Sequence, residues 1–336
     1  MKDCALLRPS PIRPSVDYHQ DGVQHGFLRL PYSRDDSAWG AVMIPITVVK
    51  NGEGPTALLT GGNHGDEYEG PIALLKLANG LKPSQVSGRV IIVPAMNYPA
   101  FRAARRTSPI DAGNLNRIFP GRPDGSVTEK IADYFHRFLL PLADIVLDYH
   151  SGGRTLDFLP FAAAHDLPDK EQESRCVAAM EAFNAPYSMK LLELDAVGMY
   201  DTAAEDLGKT FVSTELGGGG SASARSVRIA DRGVRNLLIH AGILLGEIDM
   251  QPTVRLAMPG EDSYVISTSE GVIEMCRDLG DEVEADQPVA RIYPADRTGA
   301  EPVVYRARMS GLLVARHFPG LIETGDCLAV IAIRQD

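Results

Sequence analysis

The segment Thr56–Gly70, TALLTGGNHGDEYEG, constrains the fold of this chain most strongly. Its apolar start, Ala57–Leu59, is typical of a buried strand, and Gly61 and Gly62 mark the end of that strand. A helix-like run, Glu69–Leu81, follows after a short polar stretch. A strand that leads through a loop into a helix is the repeating unit of α/β proteins. Their chemistry is concentrated where the strand's carboxyl end meets the loop.

The alternation of strands and helices continues along the chain. An antiparallel pair, Val23–Leu30 with Ala41–Val49, is predicted to open the domain. Further buried strands are predicted at Arg89–Pro94, Ala143–Tyr149 and Thr210–Leu216, and helices at Ser126–Leu142, Asp169–Phe183 and Ala224–Gly246. Strands that alternate with helices imply a largely parallel sheet. The sequence therefore predicts an α/β catalytic domain over residues 1–250 with a mostly parallel central sheet.

The pattern changes near residue 251, where helical periodicity disappears. Two stretches, 269–293 and 309–331, resemble each other, since each has a Gly, an apolar alternation, a Gly turn and another apolar strand. This repeat is similar to the two halves of a biotinyl/lipoyl-type barrel-sandwich. The modified lysine of that family is missing, because the last lysine is Lys209. We therefore expect an all-β, barrel-sandwich-like domain over residues 251–336 with a structural or site-covering role.

Metal-ligating residue types follow two of the predicted strands. His64 and Glu67 form His-x-x-Glu after the first buried strand, and His150 follows Ala143–Tyr149. Alone, His-x-x-Glu is also a common polar helix start, and His150 could cap a turn. Together, two imidazoles and one carboxylate match a catalytic zinc site, which keeps one position open for water. The sequence predicts one Zn²⁺ per chain, although other divalent ions accept the same ligands.

A general base and a group of arginines complete the predicted chemistry. Glu215 ends the strand Thr210–Leu216 before four glycines, and its carboxylate could take a proton from metal-bound water. An ordinary strand-end glutamate is the alternative. Arginine can bind a carboxylate with two parallel hydrogen bonds, or stabilise the oxyanion of an attacked carbonyl. The candidates are Arg105, Arg106 and Arg117, whereas Arg102 is expected to be a surface charge.

Composition limits the classes of partner. The 336 residues are 44% hydrophobic and 23% charged, which is ordinary for a globular protein. The formal net charge of -11 argues against a nucleic acid or an anionic membrane as partner. Four widely spaced cysteines, without a Cys-x-x-Cys pair, suit a reducing compartment. Because the sequence has no signal-peptide pattern, we expect a cytoplasmic location. The sequence does not decide whether the protein forms a homo-oligomer.

Several motifs together resemble the succinylglutamate desuccinylase/aspartoacylase family. The motifs occur in the family's order and extend over nearly the whole chain: His64-x-x-Glu67, Asn116-Arg117 within NLNRIFPG, Asp148–Gly153 (DYHSGG) and Glu215. The resemblance implies a zinc-carboxypeptidase-like domain with an appended β domain. It also implies that His64, Glu67 and His150 bind the zinc, and that Glu215 acts as general base and then as general acid.

The resemblance also implies roles in substrate binding. Asn116 and Arg117 would hold the α-carboxylate of an N-acylated amino acid, and either Arg105 or Arg106 would polarise the acyl carbonyl. The spacing to Asn116 does not decide between these two arginines. Family members also use a tyrosine from the β domain, for which the sequence offers Tyr264, Tyr293 and Tyr305. No motif identifies the acidic group that would face an ammonium on the substrate.

The implied activity is zinc-dependent hydrolysis of a small N-acylated amino acid. Within the family, the amino-acid sequence of residues 22–40, 60–71 and 106–125 implies a substrate that yields acetate and 2,4-diaminobutyrate. The alternatives are a deacylase of the N-acetylaspartate or succinylglutamate type, favoured by an extra arginine near the substrate side chain, and a zinc carboxypeptidase, favoured by an open cleft. A non-catalytic binding protein would lack a metal ligand or the base.

Overall fold

The computed structural model describes residues 8–191 and 195–335. Cys176, Cys276 and Cys327 are free thiols within these ranges, whereas Cys4 lies outside them. Among the helices of these ranges, none combines the length and the apolar character that crossing a bilayer requires.

The helices and strands alternate along the first two thirds of the chain, and strands dominate the last third. The helices are α1 (Glu69–Gly80), α2 (Tyr98–Ala103), α3 (Val127–Tyr134), α4 (Lys170–Phe183), α5 (Tyr200–Glu205) and α6 (Ala224–His240). The strands up to α6 are β1 (Arg13–Pro14), β2 (Gly22–Pro31), β3 (Ala41–Asn51), β4 (Thr56–Gly61), β5 (Gly88–Val93), β6 (Ile145–His150), β7 (Leu156–Phe158), β8 (Phe161–Ala164), β9 (Tyr187–Lys190) and β10 (Thr210–Glu215). The later strands are β11 (Val254–Ala257), β12 (Tyr264–Ile266), β13 (Gly271–Met275), β14 (Glu282–Val283), β15 (Pro288–Tyr293), β16 (Val303–Arg306), β17 (Gly311–His317), β18 (Leu321–Ile322) and β19 (Cys327–Arg334).

One large sheet runs through the molecule in the order β1-β2-β3-β5-β4-β6-β10-β8-β9-β11-β19-β17-β14. Its centre is parallel, since β4 pairs with β5 and β6, and β6 pairs with β10, all in the same direction. Antiparallel pairs flank this centre, including β3 with β5 and β8 with β10. The sheet is therefore mixed, and the prediction of a mostly parallel sheet was wrong. The sequence pattern identified the buried central strands and the antiparallel pair β2–β3, which is confirmed. It did not reveal the antiparallel pairing of β3 with β5 or of β8 with β10.

Both faces of the central strands are covered. Adjacent residues point to opposite sides: Leu59 and Leu147 pack against α1, α4 and α6, whereas Leu58 and Val146 pack against α3 and α5. Continuous apolar strands are typical of a sheet buried on both faces. The carboxyl ends of β4, β6 and β10 are thereby held rigidly side by side, in the register that pairs His150 with Glu215.

The segment between β5 and α3 carries only short helical elements, namely α2 and a 3₁₀ turn at Leu115–Arg117. Elements this short cannot show a helical period in the sequence. The predicted helix Ser126–Leu142 begins with a capping box between Ser126 and Glu129. Its regular part ends at Tyr134, however, and the chain continues through a π turn and a 3₁₀ turn.

The C-terminal strands form two groups. Strands β13, β15, β16 and β18 make a separate antiparallel sheet, whereas β11, β17 and β19 continue the large sheet. The two similar stretches form β13-β14-β15 and β17-β18-β19. The short middle strand of each stretch pairs with the first strand of the other, β14 with β17 and β18 with β13. The all-β character is as predicted. The boundary at residue 250 stays a prediction, since the large sheet crosses it.

Candidate active site

Three neighbouring strands deliver the candidate catalytic residues to one edge of the sheet. His64 and Glu67 lie in the loop between β4 and α1. His150 is the last residue of β6 and Glu215 the last of β10, and the two are directly paired across the strands. The parallel direction of β4, β6 and β10 therefore places all four side chains together, as expected from their positions after buried strands.

The metal cluster is centred on the Glu67 carboxylate. His64 Nδ1 lies 2.7 Å from Glu67 Oε1, and His150 Nδ1 lies 3.1 Å from Glu67 Oε2. One ligand atom from each residue lies within 4.8 Å of the others, and no other such cluster was found in the part of the chain that the structure describes. Two nitrogens and one oxygen at this spacing fit a divalent ion with one position left for water.

Asp148 fixes the orientation of the His150 ring. Its Oδ2 lies 2.8 Å from His150 Nε2, while its two oxygens also accept hydrogen bonds from Thr60 Oγ1 and Asn63 Nδ2. A carboxylate that holds the outer nitrogen of a histidine leaves the other nitrogen free for a metal. His150 Nδ1 is thus the metal-facing atom. The site is buried, since only 3% of His64 and 2% of Glu67 are exposed.

The charges of the cluster favour cation binding. Burial lowers the pKa of His64. Burial alone would also lower the pKa of His150, but Asp148 and Glu67 raise it well above its ordinary value. Burial opposes ionisation of Glu67, yet the two histidines hold its pKa below the usual range. Without a metal ion, a proton on His150 therefore supplies part of the positive charge that these carboxylates favour.

Glu215 faces the cluster with an unpartnered oxygen. Its Oε2 is buried and has no hydrogen-bond partner. Burial, followed by the charge of Glu67, raises the pKa of Glu215 to about 8. A buried carboxyl beside a metal site, with one oxygen free, has the properties of a group that exchanges a proton with bound water.

The structure distinguishes between the two neighbouring arginines. Arg106 Nη1 lies 3.3 Å from His64 Nδ1 and 3.9 Å from Glu67 Oε1. Arg105 instead contributes its carbonyl oxygen, which accepts a hydrogen bond from Gly65 N. A Cβ on Gly65 would lie 2.0 Å from the Ala100 carbonyl carbon, so only glycine allows the metal loop to approach this segment. Arg106 is therefore the arginine that reaches the cluster.

Asn116 and Arg117 form a second polar corner. Asn116 Oδ1 accepts a hydrogen bond from Tyr200 N at 2.9 Å, and Arg117 Nη1 donates to the Asn116 carbonyl oxygen at 2.7 Å. Gly198 packs on the backbone of Arg117, where a Cβ would lie 2.5 Å from the carbonyl oxygen. The turn that carries Asn116 and Arg117 is thus fastened to the segment that enters α5.

These groups surround one cavity of about 340 Å³. Its polar lining includes His64, Glu67, Arg106, Asn116, Arg117, His150, Asp195, Asp201, Glu215 and Tyr264, and its apolar lining includes Leu156, Phe158, Leu191 and Met199. Larger cavities, of about 370, 550 and 710 Å³, lie elsewhere. The metal cluster, rather than volume, identifies the smaller cavity as the candidate site.

Comparison with known proteins identifies the family. The description of the matching family is "Succinylglutamate desuccinylase/Aspartoacylase catalytic domain", and its model matches residues 53–241, more than half of the chain. This chain belongs to the succinylglutamate desuccinylase/aspartoacylase family. The resemblance stated from the motifs is confirmed.

Within the desuccinylase/aspartoacylase family, several relatives are close. The N-alpha-acetyl-L-2,4-diaminobutyric acid deacetylase of Halomonas elongata is 58% identical, over 97% of this chain and 96% of the relative. A product-bound structure of the ectoine utilization protein EutE (DoeB) from Ruegeria pomeroyi is 64% identical, with a TM-score of 0.96 and coverage of 97% and 99%. A succinylglutamate desuccinylase structure from Silicibacter sp. TM1040 is 62% identical, with a TM-score of 0.96 and coverage of 98% and 100%.

Most of the predicted site residues come together, and some lining residues were missed. The three metal-ligand candidates, Glu215, Arg106, Asn116 and Arg117 all line the cavity, whereas Arg105 is not among its described lining residues. Their roles stay predictions at this point. Of the three candidate tyrosines, Tyr264 lines the cavity, while the hydroxyl groups of Tyr293 and Tyr305 bond to Glu274 and to the loop 267–269. Asp195 and Asp201 belong to no motif, so no sequence signal could have identified them.

Proposed function

We propose that this protein is a zinc-dependent deacetylase that hydrolyses N-α-acetyl-L-2,4-diaminobutyrate to acetate and 2,4-diaminobutyrate in ectoine degradation. The 58% identical Halomonas elongata deacetylase and the 64% identical ectoine utilization protein support this substrate and pathway. The observation that carries the chemistry is the single cavity that joins a His-Glu-His cluster, a buried glutamate and two arginines.

Substrate binding begins at the α-carboxylate. Arg117 lines the cavity with its planar guanidinium. Beside it, the hydrogen bond from the Tyr200 backbone N–H to Asn116 Oδ1 holds the Asn116 side chain in place. Guanidinium groups bind carboxylates with two parallel hydrogen bonds, which fixes orientation as well as position. An anchored α-carboxylate would place the N-acetyl group toward the metal cluster.

His64, Glu67 and His150 would hold the zinc ion through His64 Nδ1, a Glu67 oxygen and His150 Nδ1. When bound, zinc lowers the pKa of a coordinated water to about 7 and polarises a carbonyl. Glu215 accepts the proton of the attacking water on its free Oε2. It then donates that proton to the α-nitrogen, which leaves as an amine.

Arg106 stabilises the negative charge that develops on the acetyl oxygen. Its guanidinium lies beside the cluster, 3.3 Å from His64 Nδ1. A donor already aimed at the developing oxyanion requires little reorganisation, and removal of one such donor typically costs about 10²–10³ in kcat.

The alternatives are less consistent with the cavity. A carboxypeptidase needs room for a peptide, whereas about 340 Å³ suits a small substrate. A deacylase of acidic amino acids needs another cation near the substrate side chain. The arginines among the described lining residues are Arg106 and Arg117, and this lining contains no lysine. Because both arginines already have proposed roles, no cation remains for a second carboxylate.

We further infer that residues 251–336 form a barrel-sandwich-like domain that covers the site. Exchange of the short strands β14 and β18 between the two similar halves supports this architecture. Tyr264, from the first part of this region, lines the cavity and supports the covering role. A phenol at this position can order the substrate in the cavity.

The test measures acetate release by the zinc-loaded protein from N-α-acetyl-2,4-diaminobutyrate and from N-acetylaspartate, and release of the C-terminal amino acid from an N-acetylated dipeptide. We expect turnover of the first substrate, loss of turnover on chelation, and recovery on zinc addition. Glu215→Gln should lower kcat at least ~100-fold while it still binds zinc, because a proton-transfer group is lost. Glu261→Gln, on the exposed surface, is the matched control. Faster hydrolysis of N-acetylaspartate or of the dipeptide would refute the proposed substrate.

A further inference from the structure

We infer that Asp201 binds the side-chain ammonium of the substrate and sets the selectivity of the cavity for diamino acids. The inference rests on the proposed deacetylase function and names the group that recognises its substrate. Asp201 lies in the first turn of α5, lines the cavity, and is only 7% exposed.

The position of Asp201 follows from the contact that fastens α5 to the carboxylate-binding corner. The Tyr200 backbone N–H donates to Asn116 Oδ1, so the residue that follows Tyr200 is held close to Asn116 and Arg117. In 2,4-diaminobutyrate, only two methylene groups separate the α-carbon from the ammonium. A substrate anchored by its α-carboxylate at Arg117 would therefore bring its ammonium to the same part of the cavity.

The Asp201 carboxylate has one satisfied and one free oxygen. Oδ1 accepts hydrogen bonds from Thr202 N at 2.5 Å and Thr202 Oγ1 at 3.2 Å. Among the residues that the structure describes, none donates a hydrogen bond to Oδ2 and none forms an ion pair with Asp201. Asp133, which is similarly buried, is instead paired with Arg137 at 2.6 Å. A buried carboxylate without a cationic partner is costly, and a bound ammonium would remove that cost.

The surrounding wall suits the rest of the side chain. Met199 and Leu191 line the cavity near Asp201 in sequence and offer apolar surface to two methylene groups. The second aspartate of the lining, Asp195, is exposed, and its Oδ1 accepts a hydrogen bond from Val197 N. Water screens an exposed carboxylate strongly, so the buried Asp201 discriminates charge far better than Asp195.

Charge gives the direction of the selectivity. An ammonium near Arg117 is repelled unless a carboxylate offsets the guanidinium, and Asp201 supplies that carboxylate. A substrate with a second carboxylate, such as N-acetylaspartate, would instead place like charges together at Asp201. Repulsion between these two carboxylates would weaken binding of N-acetylaspartate and so contribute to specificity.

The experiment compares Asp201→Asn with wild type on three substrates: N-α-acetyl-2,4-diaminobutyrate, N-acetyl-2-aminobutyrate, which lacks only the ammonium, and N-acetylaspartate. We expect Asp201→Asn to lower kcat/KM for the diamino substrate about 10- to 100-fold, the loss typical of a hydrogen bond between charged groups. For N-acetyl-2-aminobutyrate we expect a change of less than about 3-fold, and for N-acetylaspartate an increase. Binding of the product 2,4-diaminobutyrate, measured by calorimetry, should weaken in parallel.

The control variant is Asp169→Asn, because Asp169 also accepts backbone hydrogen bonds at a helix start, at α4, away from this cavity. Equal losses on all three substrates, or an unchanged preference in Asp201→Asn, would show that Asp201 only supports α5 and would overturn the inference alone. A wild-type protein that hydrolyses N-acetylaspartate but not the diamino substrate would overturn both the proposed function and this inference.

Discussion

Binding of zinc to the metal-free protein should release about two protons near pH 6, and about one in Glu215→Gln. The metal-free site holds two protons that a divalent ion would displace. The raised pKa of His150 keeps its ring protonated, and Glu215, with a pKa of about 8, keeps its carboxyl protonated. We expect little contribution from His64, because burial lowers its pKa.

The magnitude follows from the pKa values. A carboxyl with a pKa of about 8 is roughly 99% protonated near pH 6. His150 must lose its Nδ1 proton before that nitrogen can bind a metal. The positive charge of the ion then lowers the pKa of Glu215 and releases the second proton. Water on zinc, with a pKa of about 7, stays mostly protonated near pH 6 and adds only about a tenth of a proton.

The assay is calorimetric titration of the metal-free protein with zinc in buffers of different ionisation enthalpy. The slope of the observed enthalpy against buffer enthalpy gives the number of protons released. Glu215→Gln removes one titrating carboxyl and keeps the size of the side chain, so the wild type and the variant should differ by about one proton. Equal proton release in the two proteins would show that Glu215 does not change its protonation state when the metal binds, and would refute the expected release of its proton by the ion.

Four further substitutions test the site. Arg106→Ala should lower kcat about 10²–10³-fold because an oxyanion donor is lost, and Arg105→Ala should change it little, as measured by steady-state acetate release. Asp148→Asn should weaken zinc affinity about 10- to 100-fold in competition with a chelator, because Asp148 orients His150; equal affinity in the variant and the wild type would contradict this. Arg117→Lys should raise KM about tenfold with little change in kcat, since lysine cannot form the two-pronged contact.

The parts of the site that the sequence predicted are those fixed by strand ends. His150 and Glu215 each close a buried apolar strand, and neighbouring parallel strands place such residues side by side. His64 and Glu67 follow a third strand of the same kind. The apolar runs identify the strands, and the carboxyl ends of parallel strands lie at the same edge of the sheet. The proximity of the four residues could therefore be predicted from the sequence. Local patterns in the sequence therefore sufficed to predict that His64, Glu67, His150 and Glu215 lie together.

The parts that the sequence did not predict depend on contacts between distant segments. The choice of Arg106 over Arg105 depends on the turn after α2, in which the Arg105 carbonyl bonds to Gly65. The choice of Tyr264 depends on how the C-terminal strands meet the large sheet. Asp201 enters the cavity because Asn116 holds the start of α5. None of these contacts leaves a periodic pattern in the sequence, so only the three-dimensional structure could select among the candidates.

Balance of charge explains why these residues occur together in one buried cavity. In the metal-free state, three buried carboxylates face three cations, and Glu215 is neutral; the buried carboxylates are Glu67, Asp148 and Asp201, and the cations are His150, Arg106 and Arg117. The other aspartate of the lining, Asp195, is exposed, and water screens its charge. Exchange of two protons for one divalent ion leaves the net charge unchanged. A substrate with one carboxylate and one ammonium leaves it unchanged as well, whereas a dicarboxylate adds uncompensated negative charge to a buried site, which is costly. The same reasoning predicts that Asp201→Asn, which removes one negative charge, makes the cavity more tolerant of N-acetylaspartate.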